Sequence, residues 1–117
     1  MVQEQVAEAR ALVKKAYAKL RKNGFIARGN FSWCSNCAGY ELAGMCEKRG
    51  RSKVVYWHRQ DEDWFRKSGS LTLRYGWMDG TDEQYVQVGQ EVVEALKAEG
   101  LEVEWSGSAN EVIFVKA

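Results

Sequence analysis

Proline is missing from this chain altogether, histidine occurs once, and cysteine occurs three times in 117 residues. Without proline, no reactive group here can sit opposite a cis-proline turn. A single histidine leaves one imidazole for acid–base work or metal ligation. No apolar run approaches the ~20 residues that a membrane span needs. The N-terminal segment lacks the basic-then-apolar order of a signal peptide and the cysteine count is odd, so a reducing cytoplasm is the expected compartment. Phosphate loops, dinucleotide-binding glycine fingerprints and carboxylate clusters at metal-binding spacing are missing too. A net charge of +1 argues against a dedicated nucleic-acid binder.

Hydrophobic residues make up 45% of the chain and charged residues 28%, which is enough apolar content for a core without disulfides or metal. The length suits one domain over 1–117, with an N-terminal helix over 1–23 and an α/β body over 24–117. Charge is unevenly placed along it. Through Lys53 there are 11 Lys/Arg against 4 Asp/Glu, and from Val54 onward 6 against 12. Such a split fits solvated helix faces or a basic surface that meets an acidic partner.

Val2, Val6, Ala9, Val13, Ala16 and Leu20 recur every three or four residues, which predicts an amphipathic helix. Lys19, Arg21 and Lys22 suit its last turn, and Asn23-Gly24 supplies a left-handed stop. Phe25 to Arg28 reads as a short strand. A second helix is expected from about Ala38 to Arg49, burying Ala38, Leu42, Met45 and Cys46. Lys53 to His58 is apolar on both alternating faces, so it should be an interior strand. Asp61 is expected to cap a short helix carrying Trp64 and Phe65.

Ser70 to Tyr75 alternates as a half-buried strand does, and Thr81 to Gln84 is a capping-box pattern opening another helix. Leu101 to Trp105 and Glu111 to Val115 read as a hairpin. Together these elements predict an α/β (α+β) domain of two or three layers. Its sheet should be mixed, of about five strands, with a C-terminal antiparallel hairpin.

Trp33-Cys34-Ser35-Asn36-Cys37 is the stretch with the most chemistry. Cysteines at a helix N-terminus have a lowered thiol pKa, as in thioredoxin. The thioredoxin fold is nevertheless excluded, because it needs a cis-proline and a strand-helix-strand ahead of the motif. A zinc site of Cys34, Cys37 and His58 with an outside ligand is a second reading. Cys46 fits that set badly, since nine helical residues place it ~13 Å along the axis from Cys37 unless the helix breaks at Gly39 or Gly44. The third reading is two packed structural thiols.

His58 falls at a strand end, where ligand sites in α/β sheets commonly lie. With Asp61 it would make a base and its orienter, and Cys34 would be the nucleophile. The competing role is a histidine capping the strand edge. Among the tryptophans, Trp57 and Trp105 are expected in the core. Trp33 and Trp77 are expected in loops, where tryptophan anchors partners or covers the core rim.

Four stretches together carry a resemblance: "GFIARGNFSWCSNC" (24–37), "VVYWHRQD" (54–61), "LRYG" (73–76) and "GLEVEWSGS" (100–108). In this order they resemble an uncharacterised bacterial domain family, a domain of unknown function. The matching positions are Arg28, Asn30, Cys34, Cys37, His58, Gln60, Asp61, Tyr75, Gly76 and Trp105. Trp33 stands where the family pattern has a further cysteine. The resemblance implies the fold and the place of the site, and no activity. The expected function is therefore binding, with a protein as partner, through Trp33, Trp77, Arg28, Asn30 and Gln60. No cofactor is expected for that role. The alternative is a thiol- or metal-dependent enzyme, with zinc as the metal, centred on Cys34, Cys37 and His58.

Overall fold

The computed structural model describes the backbone of residues 2–31, 35–109 and 111–117, and their side chains apart from those of 2 and 35–38. In chain order the elements are α1 (Val2–Lys22), β1 (Phe25–Arg28), α2 (Ser35–Arg49), β2 (Lys53–Tyr56) and α3 (Arg59–Ser68). They continue with β3 (Ser70–Trp77), α4 (Asp82–Ala98), β4 (Glu102–Glu104) and β5 (Ile113–Lys116). The strands form one mixed sheet in the order β1-β2-β3-β5-β4. Only β1 and β2 run parallel, and β4 and β5 make the antiparallel C-terminal hairpin. This is the expected α+β domain with its N-terminal amphipathic helix.

The period-2 alternation of the strands divides the core in two. Val55, Leu71, Leu73, Ile113 and Val115 face α1 and α4, whose stripes of Val6, Val13, Leu20, Val88, Val92 and Leu96 are buried there. Ile26, Val54 and Tyr56 face the other way, under Leu42 and Cys46 of α2. The sheet is therefore covered on both faces over β1 and β2. On the second face of β5, Phe114 stays 40% exposed. Gly24, at φ 92°, stops α1 where the sequence places its left-handed turn.

Local pairing moves several boundaries. α2 begins at Ser35 rather than Ala38, and it runs unbroken through Gly39 and Gly44. β2 stops at Tyr56, because His58 leaves the strand to cap α3. The expected cap, Asp61, is instead the third helical residue, and its carboxylate reaches back to the His58 N–H. The α4 capping box of Thr81 and Gln84 is as expected. β3 runs two residues past Tyr75, so Trp77 lies at a strand end opposite Lys53 and not in a loop.

Three tryptophan and tyrosine contacts hold the far side together. The Trp105 indole donates to the Tyr75 hydroxyl at 3.0 Å, and that hydroxyl donates to the Glu111 carbonyl oxygen at 2.7 Å. A Cβ on Gly89 would lie 2.4 Å from the Trp105 ring, so α4 can approach the hairpin only with glycine there. Tyr75 and Trp105, two positions of the family-like pattern, thus tie the hairpin loop to β3.

Cys46 is buried, and burial pushes its thiol pKa up, away from the reactive thiolate. Cys46→Ala should therefore cost about 1–2 kcal/mol in denaturant unfolding, as a small core truncation does. Its reactivity toward a thiol reagent should appear only on unfolding.

Candidate functional site

The first turn of α3 carries two consecutive buried carboxylates, Asp61 and Glu62. Adjacent helical positions point ~100° apart, so the two acids serve different neighbours. Asp61 meets Arg74 of β3, which donates to it from Nε at 3.0 Å and from Nη2 at 3.2 Å. Glu62 faces α1. It is held by Arg10, by the Arg66 Nε at 3.2 Å and by the Trp57 indole N–H at 3.3 Å. A carboxylate this buried is stable only with such donors around it.

His58 is committed to the same turn. Its Nδ1 accepts from the Asp61 N–H at 3.3 Å, which puts the imidazole proton on Nε2, and Nε2 lies 3.4 Å from Asp61 Oδ2. Burial lowers the His58 pKa from its usual 6.5; the Asp61 charge opposes this and the Arg74 charge adds to it. Among the described residues, His58 and Asp61 are a cap, with Asp61 oriented by Arg74.

Trp57 is the floor of the neighbouring cleft. Its ring packs against Tyr17 at 5.5 Å between centroids. The chain leaving β1 crosses directly over it, and a Cβ on Gly29 would come within 2.4 Å of the indole. Phe31 N–H donates to the Trp57 carbonyl oxygen at 2.9 Å, and Trp57 N–H to that of Arg28 at 3.3 Å. Asn30 turns the chain at φ 50°, a left-handed conformation that asparagine tolerates better than most residues. The Arg28-Gly29-Asn30 segment is thus held by one residue, Trp57, through its ring and its backbone.

Around that floor lies a cleft of about 590 Å³ between α1, α3 and the end of β1. Arg10, Lys14, Tyr17 and Arg21 recur at intervals of four, three and four, which aligns them along one side of α1. With Arg28 and Arg66 they give the lining five cations against one carboxylate, Glu62. A second cleft of about 260 Å³ shares Arg21 and Arg28 and adds Arg49 and Arg51, with no carboxylate. Two of these arginines also close the free edge of β1. Arg21 donates to the Ala27 carbonyl oxygen at 2.7 Å and Arg51 to that of Phe25 at 3.3 Å. Such caps leave less of the strand edge open to pairing with another chain.

Of the residues singled out in the sequence, Arg28 and Asn30 come together in the larger cleft. Gln60 is exposed in the first turn of α3. Trp77 is half-buried and pairs with Lys53 at the end of the sheet opposite Arg28, ~10 Å away along the strands. It does not share the cleft. Trp33 and Cys34 lie outside the described residues, as does the side chain of Cys37, and so does their expected convergence with His58. No group of three or more His, Cys, Asp or Glu side chains fit to hold a metal occurs among the described residues. Arg10, Lys14, Tyr17, Glu62 and Arg66 were not apparent as site residues in the sequence. The 4-3-4 spacing along α1 is the one signal that points to the first three, and no sequence signal points to Glu62 or Arg66.

The architecture and this cleft define a small α+β domain with a basic concave face. A family model described as "Domain of unknown function (DUF6891)" matches residues 9–117, and the chain belongs to that family. No curated protein and no solved structure matches it. No described helix is long and apolar enough to cross a membrane.

Glu62→Ala removes the shared partner of Arg10, Arg66 and the Trp57 N–H. Arg66 is largely solvent-exposed and can rehydrate, so the cost should be about 1–3 kcal/mol rather than the full penalty of a split buried pair. Denaturant unfolding followed by Trp fluorescence measures it. A second expectation concerns pH. Because His58 has a lower pKa folded than unfolded, its contribution to stability is intact above about pH 6.5 and is lost as the pH falls below that. His58→Asn keeps a capping side chain that does not titrate. The variant should show a flatter stability profile between roughly pH 7 and 5.5 than the native chain.

Proposed function

We propose that this domain is a binding module whose partner presents an acidic protein segment to the basic face of α1 and β1. One observation carries the reading. The two adjoining clefts gather seven cations and a single carboxylate, although the whole chain has a net charge of +1. Holding like charges together costs Coulomb energy unless an anion visits them. A concave cationic surface steers acidic partners and favours them over neutral ones.

The aromatic residues in the larger cleft, Tyr17 and Trp57, are both buried beneath its surface. They offer no exposed ring for a base to stack on, which favours an acidic peptide over a single-stranded nucleic acid. Trp33 and Trp77 belong to the same proposal as further anchors for a protein partner, with Trp77 outside the cleft. The thiol- or metal-dependent alternative at Cys34, Cys37 and His58 draws no support from His58. A zinc ion there would have to displace the Asp61 contacts of the ring.

The test is fluorescence anisotropy with a labelled Asp/Glu-rich peptide. Arg28→Glu should weaken binding about tenfold or more, and added salt should weaken the native complex steadily. Lys97→Glu makes the same change of net charge on α4 and should cost less than about twofold. Equal losses from both variants would mean bulk charge alone and would defeat the reading. Preference for a DNA strand over the peptide would also defeat it.

A further inference from the structure

Opposite charges lie at opposite ends of this molecule. The sheet order makes β1 one edge and β4 the other. Four strand spacings of ~4.8 Å separate the two edges by ~19 Å. Beside β1, the smaller cleft gathers Arg21, Arg28, Arg49 and Arg51 without a carboxylate. Beside β4 lies a groove of about 360 Å³, lined by Glu8 of α1, Glu102 of β4 and a single cation, Lys116. Lys116 is drawn to Glu104 at 2.7 Å, so it offsets one of these three acids and leaves the end negative.

The first helix spans both ends and is segregated in the same way. Its two carboxylates, Glu4 and Glu8, fall in its first two turns, and every later charge on it is a cation, from Arg10 to Lys22. From Glu8 to Arg21 the helix advances ~20 Å at ~1.5 Å per residue. Sheet and helix thus give the same separation. It is about twice the screening length at 0.1 M salt, so the two ends do not neutralise each other within one molecule.

We propose that the acidic segment met by the basic face belongs to a second copy of this chain. Glu8 and Glu102 of one copy enter the four-arginine cleft of the next. The proposal rests on the acidic-ligand reading above and names its partner. Like ends repel, basic from basic and acidic from acidic, so only unlike ends pair. A net charge of +1 sets little long-range repulsion against the approach of two copies. Arg21 and Arg51 cap the outward carbonyl oxygens of β1, so the contact runs through side-chain charge and not through a continued sheet. The two surfaces differ and lie at opposite ends. The contact is therefore head-to-tail, and each copy keeps one end free for a further copy.

Sedimentation velocity of the full chain tests this. At about 0.05 M salt the average mass should rise with concentration past that of a dimer, and at about 1 M salt it should return to that of the monomer. Two exposed charge reversals supply the second measurement. Arg28→Glu with Arg49→Glu makes both ends acidic, and Glu8→Lys with Glu102→Lys makes both ends basic. Each double variant alone should sediment as a monomer. Mixed one to one, they should associate again, a recovery that damage to either fold could not produce. Saturating Asp/Glu-rich peptide should disperse the native oligomers, because it occupies the same cleft.

Oligomers that persist in high salt or with the peptide bound overturn the proposal, as does a closed dimer that grows no further. A mixture that stays monomeric, with both variants folded by circular dichroism, overturns it too. A native chain that is monomeric at every concentration but still binds the peptide overturns it while the acidic-ligand reading stands. A monomer that binds no peptide overturns both.

Discussion

The hydrogen bond from the Trp57 indole to the Glu62 carboxylate links the two halves of the molecule's chemistry. On one side of it lies an aromatic floor, with Tyr17 against the ring and the Gly29 turn directly above. On the other lies a buried acid that draws Arg10 from α1 and Arg66 from α3. Without the indole, the turn after β1 loses the surface it crosses. Without the carboxylate, two arginines lose their anchor and α1 loses a tie to α3. The basic cleft is the outer surface of this linkage.

The same turn of α3 shows how two neighbouring acids are given different work by helix geometry alone. Asp61 closes a cap with His58 and holds Arg74 across β3. Glu62, the next residue, looks toward α1. In both clusters the carboxylate is buried and is held by hydrogen bonds as well as charge, which is the condition for tolerating a buried ion. They fix the direction of α3 and therefore the side of the cleft that carries Arg66.

The helices and strands were legible because each carries its own period. The α1 stripe from Val6 to Leu20 and the Thr81–Gln84 box needed no tertiary information. Element ends were less legible. Asp61 reads as a cap by residue type, yet His58 stands at the capping position and takes the role. Trp77 reads as a loop residue beside Gly76, yet pairing with Lys53 extends the strand to include it. The basic cleft was barely legible. Arg10, Lys14 and Arg21 look like any solvated helix flank until the sheet brings Arg28 beside them, and Glu62 looks like an ordinary first-turn acid. Arg28 and Asn30 were singled out through the family-like pattern. Their physical reason, a turn pressed onto an indole ring, appears only in three dimensions.

The central claim is that ligands meet this domain at the cleft over Trp57. An amide and indole N–H correlation map of the isotopically labelled chain, recorded during titration with an acidic peptide, tests it most directly. The account predicts saturable shifts of the Trp57 indole N–H and of the Lys14, Arg28 and Gly29 amides. The Trp105 indole and the Phe114 amide, on the far half of the sheet, should stay in place. Shifts concentrated around Trp105 and Phe114, with Trp57 and Gly29 unmoved, would contradict it.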